Sequence, residues 1–83
     1  MKQQYLIKNS LGLHVMPSKR IALAAEAFEC DMQLWLGDKC GNPKKMIEIV
    51  KLGVKGGATV TLETKGVDEQ EAQRVVGELL SQG

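Results

Sequence analysis

The chain has 83 residues, 43% of them hydrophobic and 25% charged, with a formal net charge of +1. That size and balance fit one small globular domain over residues 1–83 with a modest core. They exclude a basic nucleic-acid binder, since there is no basic stripe, and one Trp, one Tyr and one Phe make no stacking platform.

No apolar run approaches the roughly 18 residues of a membrane span, and Met1-Lys2-Gln3-Gln4 opens no signal-peptide core. The expected location is therefore the cytoplasm. Cys30 and Cys40 form no CxxC pair, and with a single histidine in the chain no zinc site is expected. They are read as small reduced thiols, buried or half-buried.

Taken in order, residues 3–8 read as a first strand, with Tyr5 and Ile7 on one face and Leu6 on the other. A loop through Asn9, Ser10, Leu11 and Gly12 leads to His14. Pro17 suits the first position of a helix, where a missing N–H costs nothing. Ile21, Ala24, Ala25 and Phe28 then repeat at i, i+3, i+4, i+7, which predicts a helix over 17–28. Residues 31–37 form a second strand, with Met32, Leu34 and Leu36 on one face and Gln33 and Trp35 on the other. Gly37-Asp38 is a two-residue hairpin turn into a third strand over 39–42, which sets Cys40 opposite Trp35 and leaves Cys30 too distant for a disulfide.

Pro43 opens a short helix over 44–52, ended by Gly53. Its apolar side is Met46, Ile49 and Val50, with Ile47 less firmly placed. A fourth strand over 58–64 points Val60 and Leu62 inward. Asp68 and Glu71 have the spacing of a capping box ahead of a last helix over 68–81, whose stripe is Ala72, Val75, Val76, Leu79 and Leu80. The order βαββαβα, with strands apolar on one face, predicts an α+β open-faced sandwich: a four-stranded antiparallel sheet with three helices on one side. Leu6 and Trp35 are then left on the open face.

The chemistry concentrates at His14, on the turn feeding a helix N-terminus. Free N–H groups and the helix dipole form an anion site there, and a neutral imidazole has a nucleophilic nitrogen. Together they are what a phosphohistidine requires. With the helix starting at Pro17, Lys19 and Arg20 fall in the first helical turn, where the dipole disfavours cations unless an anion is held nearby. No triad accompanies the histidine, and Gly56-Gly57 lacks the lysine and Ser/Thr of a phosphate-binding loop. The phosphate must then come from a partner, with no bound cofactor or metal.

The stretch Gly12-Leu13-His14-Val15-Met16-Pro17 resembles the phosphorylation site of the HPr family, the histidine-containing phosphocarriers of the bacterial sugar phosphotransferase system. The likeness extends through NPKKMIEIVKLG (42–53), GATVTLE (57–63) and GVDEQEA (66–72). It implies the same open-faced sandwich. It also implies that His14 accepts the phosphoryl group, through Nδ1, from an Enzyme I-like donor and passes it to an Enzyme IIA-like acceptor. On this reading Ser18, Lys19 and residue 16 surround the phosphate. Val15, Leu23, Lys45, Met46, Ile47 and Lys51 form the partner-docking surface of a monomer, to which Met16 adds apolar area.

Two positions depart from the family pattern. Residue 16 is usually arginine and here is Met16, and many relatives carry a regulatory serine where this chain has Lys45. An HPr-like regulatory or scaffold protein with little phosphoryl transfer is therefore a second reading, and a structural domain without phosphate chemistry a third. Leu23 lies off the Ile21/Ala25/Phe28 stripe; docking and a widened apolar stripe account for it equally.

Overall fold

The computed structural model describes residues 1–82. The elements are β1 (Lys2–Leu6), α1 (Val15–Glu26), β2 (Asp31–Leu36), β3 (Lys39–Gly41), α2 (Met46–Leu52), β4 (Thr59–Lys65) and α3 (Glu69–Ser81). The sheet runs β1-β4-β2-β3 with every pair antiparallel. It is the α+β open-faced sandwich that the residue pattern predicts.

Strand alternation sorts the side chains. Met32, Leu34, Val60 and Leu62 are buried beneath the helices with Ile21, Ala25, Ile49, Ala72, Val76 and Leu80. The opposite face keeps Leu6, 50% exposed, and Trp35, whose Nε1–H donates to Glu63 Oε1 at 3.2 Å. The Leu36–Lys39 pairing leaves Gly37 and Asp38 as the hairpin turn, with Gly37 at φ 61°. Trp35 faces Cys40, as the turn predicts. Cys40 is exposed rather than buried or half-buried, because β3 is an edge strand whose side chain here points to the open face. Cys30 is buried, and its thiol is pushed up to about 11, first by burial and then by the Asp68 carboxylate.

Several boundaries move for identifiable reasons. β1 ends at Leu6, although the Ile7 N–H still donates to the Ala58 carbonyl at 2.9 Å and the Ile7 carbonyl accepts from Gly57 at 2.8 Å. α1 begins two residues before Pro17, which occupies its third position and not its first; any of the first turn's N–H groups is dispensable, so proline fits there too. Lys19 and Arg20 therefore fall in the second turn, where the dipole has faded. They carry no penalty that an anion must relieve.

α2 begins at Met46 because Asn42 organises a turn: its Oδ1 accepts the Lys44 N–H at 2.9 Å and its carbonyl accepts the Lys45 N–H at 3.0 Å. Gly53 ends the helix in the left-handed region at φ 66°, ψ 36°.

The capping box read at Asp68 and Glu71 does not form. Glu69 Oε1 instead accepts the Gly66 N–H at 3.1 Å, and Glu71 pairs with Arg74 on the exposed face. Asp68 reaches across the chain. Its carboxylate accepts the N–H groups of Glu29 at 2.8 Å and Cys30 at 2.9 Å, tying the start of α3 to the segment that enters β2.

The backbone N–H of Glu29, with help from Cys30, holds the Asp68 carboxyl below its ordinary value of 3.8. A depressed folded-state value stabilises the protein above the ordinary carboxylate range, and that stability is lost as pH falls through the lowered value. Asp68→Asn should be less stable than wild type near neutral pH, with the gap narrowing only below about pH 5 and closing as pH falls through the lowered carboxyl value, read in urea denaturation. A gap that stays constant through that fall in pH would contradict this role for Asp68.

Candidate functional site

The site is built outward from Leu13. Its side chain is 4% exposed. Its N–H donates to the Val54 carbonyl at 3.0 Å, and its carbonyl accepts the Ser18 Oγ–H at 3.1 Å. Leu13 is thus held by its side chain and both backbone groups. Gly12 makes that approach possible: it sits at φ 71°, and a Cβ there would overlap the Val54 carbonyl oxygen. Asn9 shapes the loop before it, accepting the Leu11 N–H on Oδ1 at 3.0 Å and the Gly12 N–H on its carbonyl at 2.9 Å.

His14 follows as the N-cap of α1, extended at φ −78° and ψ −168° and half-buried. Its side chain makes no capping bond, and among the described residues the ring has no hydrogen-bond partner. The His14 carbonyl accepts the Ser18 N–H at 3.1 Å, closing the first helical turn. The free donors at this helix start are therefore the N–H groups of Val15 and Met16, since Pro17 has none.

Ser18 is not one of the donors, contrary to expectation. It is fully buried, its hydroxyl serves Leu13 and its N–H serves His14. Lys19 is exposed on α1 and does not border the cleft beside His14. That cleft measures about 120 Å³. His14, Met16, Pro17 and Arg20 line its α1 side, with Asn9, Leu79 and Gln82 opposite. Arg20 stands out in the sequence as a cation near the helix start but is not among the residues expected to touch the phosphate. The signal was present, because Arg20 lies four residues after Met16 and so on the same helical face.

The apolar surface has two parts. Val15, Met16 and Leu23 of α1 are 54%, 57% and 61% exposed, and Met46 and Ile47 of α2 are also exposed. The helices run in opposite directions. Lys44 Nζ donates to the Phe28 carbonyl at 2.7 Å beyond the end of α1, while Val54, past the end of α2, receives Leu13 just before α1 begins. Lys45 and Lys51 are exposed at the two ends of α2. Among the described residues there is no group of acidic, histidine and cysteine side chains that could hold a metal ion. No helix is long and apolar enough to cross a membrane.

Residues 1–82 match the family model described as the PTS HPr component phosphorylation site. The chain belongs to the HPr family. It is 32% identical over 81 residues to the phosphocarrier protein HPr of Neisseria meningitidis serogroup A, covering 98% of this chain and 91% of that one. It is 34% identical over 76 residues to DhaM of Providencia stuartii, the phosphoryl donor subunit of a PEP-dependent dihydroxyacetone kinase. That match takes in 92% of this chain, which spans only 16% of the longer protein. The crystal structure of HPr-C-His from Thermoanaerobacter tengcongensis superposes with a TM-score of 0.91 at 31% identity, covering 96% of this chain and 90% of that one.

Within this HPr-family chain Lys45 is the N-cap of α2, extended at φ −118° and ψ 113°, with no side-chain capping bond. That conformation suits serine, whose hydroxyl would accept a first-turn N–H. Lys45→Ser should therefore stabilise the protein by about 0.5–1 kcal/mol, read from the urea midpoint. A loss of stability would mean that the Lys45 side chain makes a contact of its own.

Proposed function

We propose that this protein is a phosphocarrier that accepts a phosphoryl group on His14 from an Enzyme I-like donor and hands it to an Enzyme IIA-like acceptor. The observation that carries this reading is the arrangement at residue 14. An imidazole that is half-buried and, among the described residues, without a hydrogen-bond partner stands beside two uncommitted backbone N–H donors at a helix start.

The chemistry follows from that arrangement. A ring nitrogen, Nδ1 by the family resemblance, directs its lone pair at phosphorus and forms the N–P bond. The bond from phosphorus to the donor breaks, and the donor atom keeps the electron pair. The imidazole releases its other N–H proton. Handover to the acceptor runs the same steps in reverse. Charge on the equatorial oxygens in the transition state meets the N–H groups of Val15 and Met16 without reorganisation. Leu13 is fixed, so the ring starts from a defined position. A carrier must also let go, and two donors at an open surface hold the group less tightly than a closed pocket.

Docking falls to the exposed apolar side chains Val15, Met16, Leu23, Met46 and Ile47, with Lys19, Lys45 and Lys51 as a charged rim. An apolar centre with a polar rim suits a transient interface. The protein acts as a cytoplasmic monomer, with no cofactor or metal of its own. Likeness to a segment of DhaM supports phosphoryl relay in general and leaves the pathway served open. Met16 favours a second reading, an HPr-like scaffold that binds the same partners with little turnover, because it removes charge beside the histidine while adding apolar surface.

Phosphorus NMR after mixing with phosphoenolpyruvate and Enzyme I separates the two. The carrier reading expects a phosphohistidine signal in wild type and none in His14→Ala. Wild-type protein that binds Enzyme I and gains no signal would establish the scaffold reading instead.

A further inference from the structure

We propose that the Arg20 guanidinium grips the phosphoryl group on His14, supplying from the second turn of α1 the charge that Met16 does not. The inference rests on the carrier reading and deepens it.

A phosphoryl group on His14 would bring about −1.5 to −2 charges at neutral pH. The helix start offers about half a positive charge and only two free N–H groups, because Pro17 has none and the Ser18 N–H is spent on the His14 carbonyl. Met16, on the α1 side of the cleft, is uncharged. The arrangement as built is thus short of positive charge on the side that the phosphate would occupy.

Arg20 is the one cationic side chain lining that cleft among the described residues. It stands one helical turn after Met16, and side chains on a helix lean toward its N-terminus. Its natural path therefore runs back over Met16 toward His14. Among the described residues no acid pairs with it. The first turn of α1 contains none, whereas Arg74 is engaged by Glu71 and Glu78. A free guanidinium offers two parallel N–H donors to phosphoryl oxygens, a geometry that lysine lacks. The arrangement also divides the labour. Met16 stays apolar for docking, while the charge is delivered from four residues further along the same face.

Phosphoramidate tests this without a partner protein. The ring nitrogen forms the N–P bond, the P–N bond of phosphoramidate breaks, its nitrogen leaves as ammonia with that electron pair, and the imidazole releases its other N–H proton. Phosphorus NMR follows both the rate of uptake and the pH at which the bound phosphoryl group takes up its next proton. In Arg20→Ala the rate should fall by roughly tenfold or more, and the phosphoryl titration midpoint should move to higher pH. Adding Met16→Arg to that variant should restore much of both, because residues 16 and 20 line the same cleft. Arg20 is exposed and unpaired, so its removal leaves the fold intact, as a circular dichroism spectrum will show. If wild type is phosphorylated and Arg20→Ala matches it in rate and midpoint, the role of Arg20 is overturned and the carrier reading stands. If wild-type His14 takes no phosphoryl group from phosphoramidate or from Enzyme I, both fall together.

Discussion

The immobilisation of Leu13 is the constraint on which the site depends. Its N–H is held by the Val54 carbonyl, its carbonyl by the buried Ser18 hydroxyl, and its side chain by the core. A buried carbonyl left without a partner costs about 1–3 kcal/mol, so Ser18 keeps the turn from opening to find water. Gly12 makes the close approach to Val54 sterically possible. With residue 13 fixed, residue 14 has to emerge from the core extended, and the next residue begins a helix. The half-buried histidine and the free N–H groups are thus two results of one anchoring. The anchor also joins the ends of two helices, because Val54 follows directly on α2.

Much of the fold was legible because its signals are periodic. Alternation of apolar residues located β2 and β4 and the faces they bury, and the glycines at 37 and 53 marked a turn and a helix end by their backbone demands. What sequence misread were local hydrogen-bond choices. Asp68 has the spacing of a cap, yet its carboxylate found better donors at Glu29 and Cys30, distant in sequence and adjacent in space. Ser18 looked like a phosphate ligand because it follows the histidine. Its hydroxyl was claimed by Leu13, a contact that requires knowing the path of the turn. Pro17 fits any of the first helical positions, so it marked the helix and left its start open by two residues. Arg20 was noticed for its charge, and starting the helix at Pro17 put it in the wrong turn.

In the proposed carrier the electrostatic and apolar features serve different steps. Docking needs apolar area that two partners cover in succession, and the exposed side chains of α1 and α2 offer it with lysines at the margins. Phosphoryl transfer needs donors aimed at one point, and these are backbone groups whose direction the helix fixes. Evolution can therefore alter a side chain such as residue 16 without removing the backbone donors. In the proposed carrier, Met16 leaves the helix start with more of the phosphate binding, and the rest has to come from neighbouring turns.

In the proposed carrier, phosphate on His14 rests on the N–H groups of Val15 and Met16. Amide proton shifts before and after phosphorylation, in a proton–nitrogen correlation spectrum of labelled protein, test it most directly. The Val15 and Met16 amides should move strongly downfield as they begin to donate to phosphoryl oxygens. Ser18, already bonded to the His14 carbonyl, should move much less. Val15 and Met16 amides that keep their positions while His14 carries the phosphoryl group would contradict it.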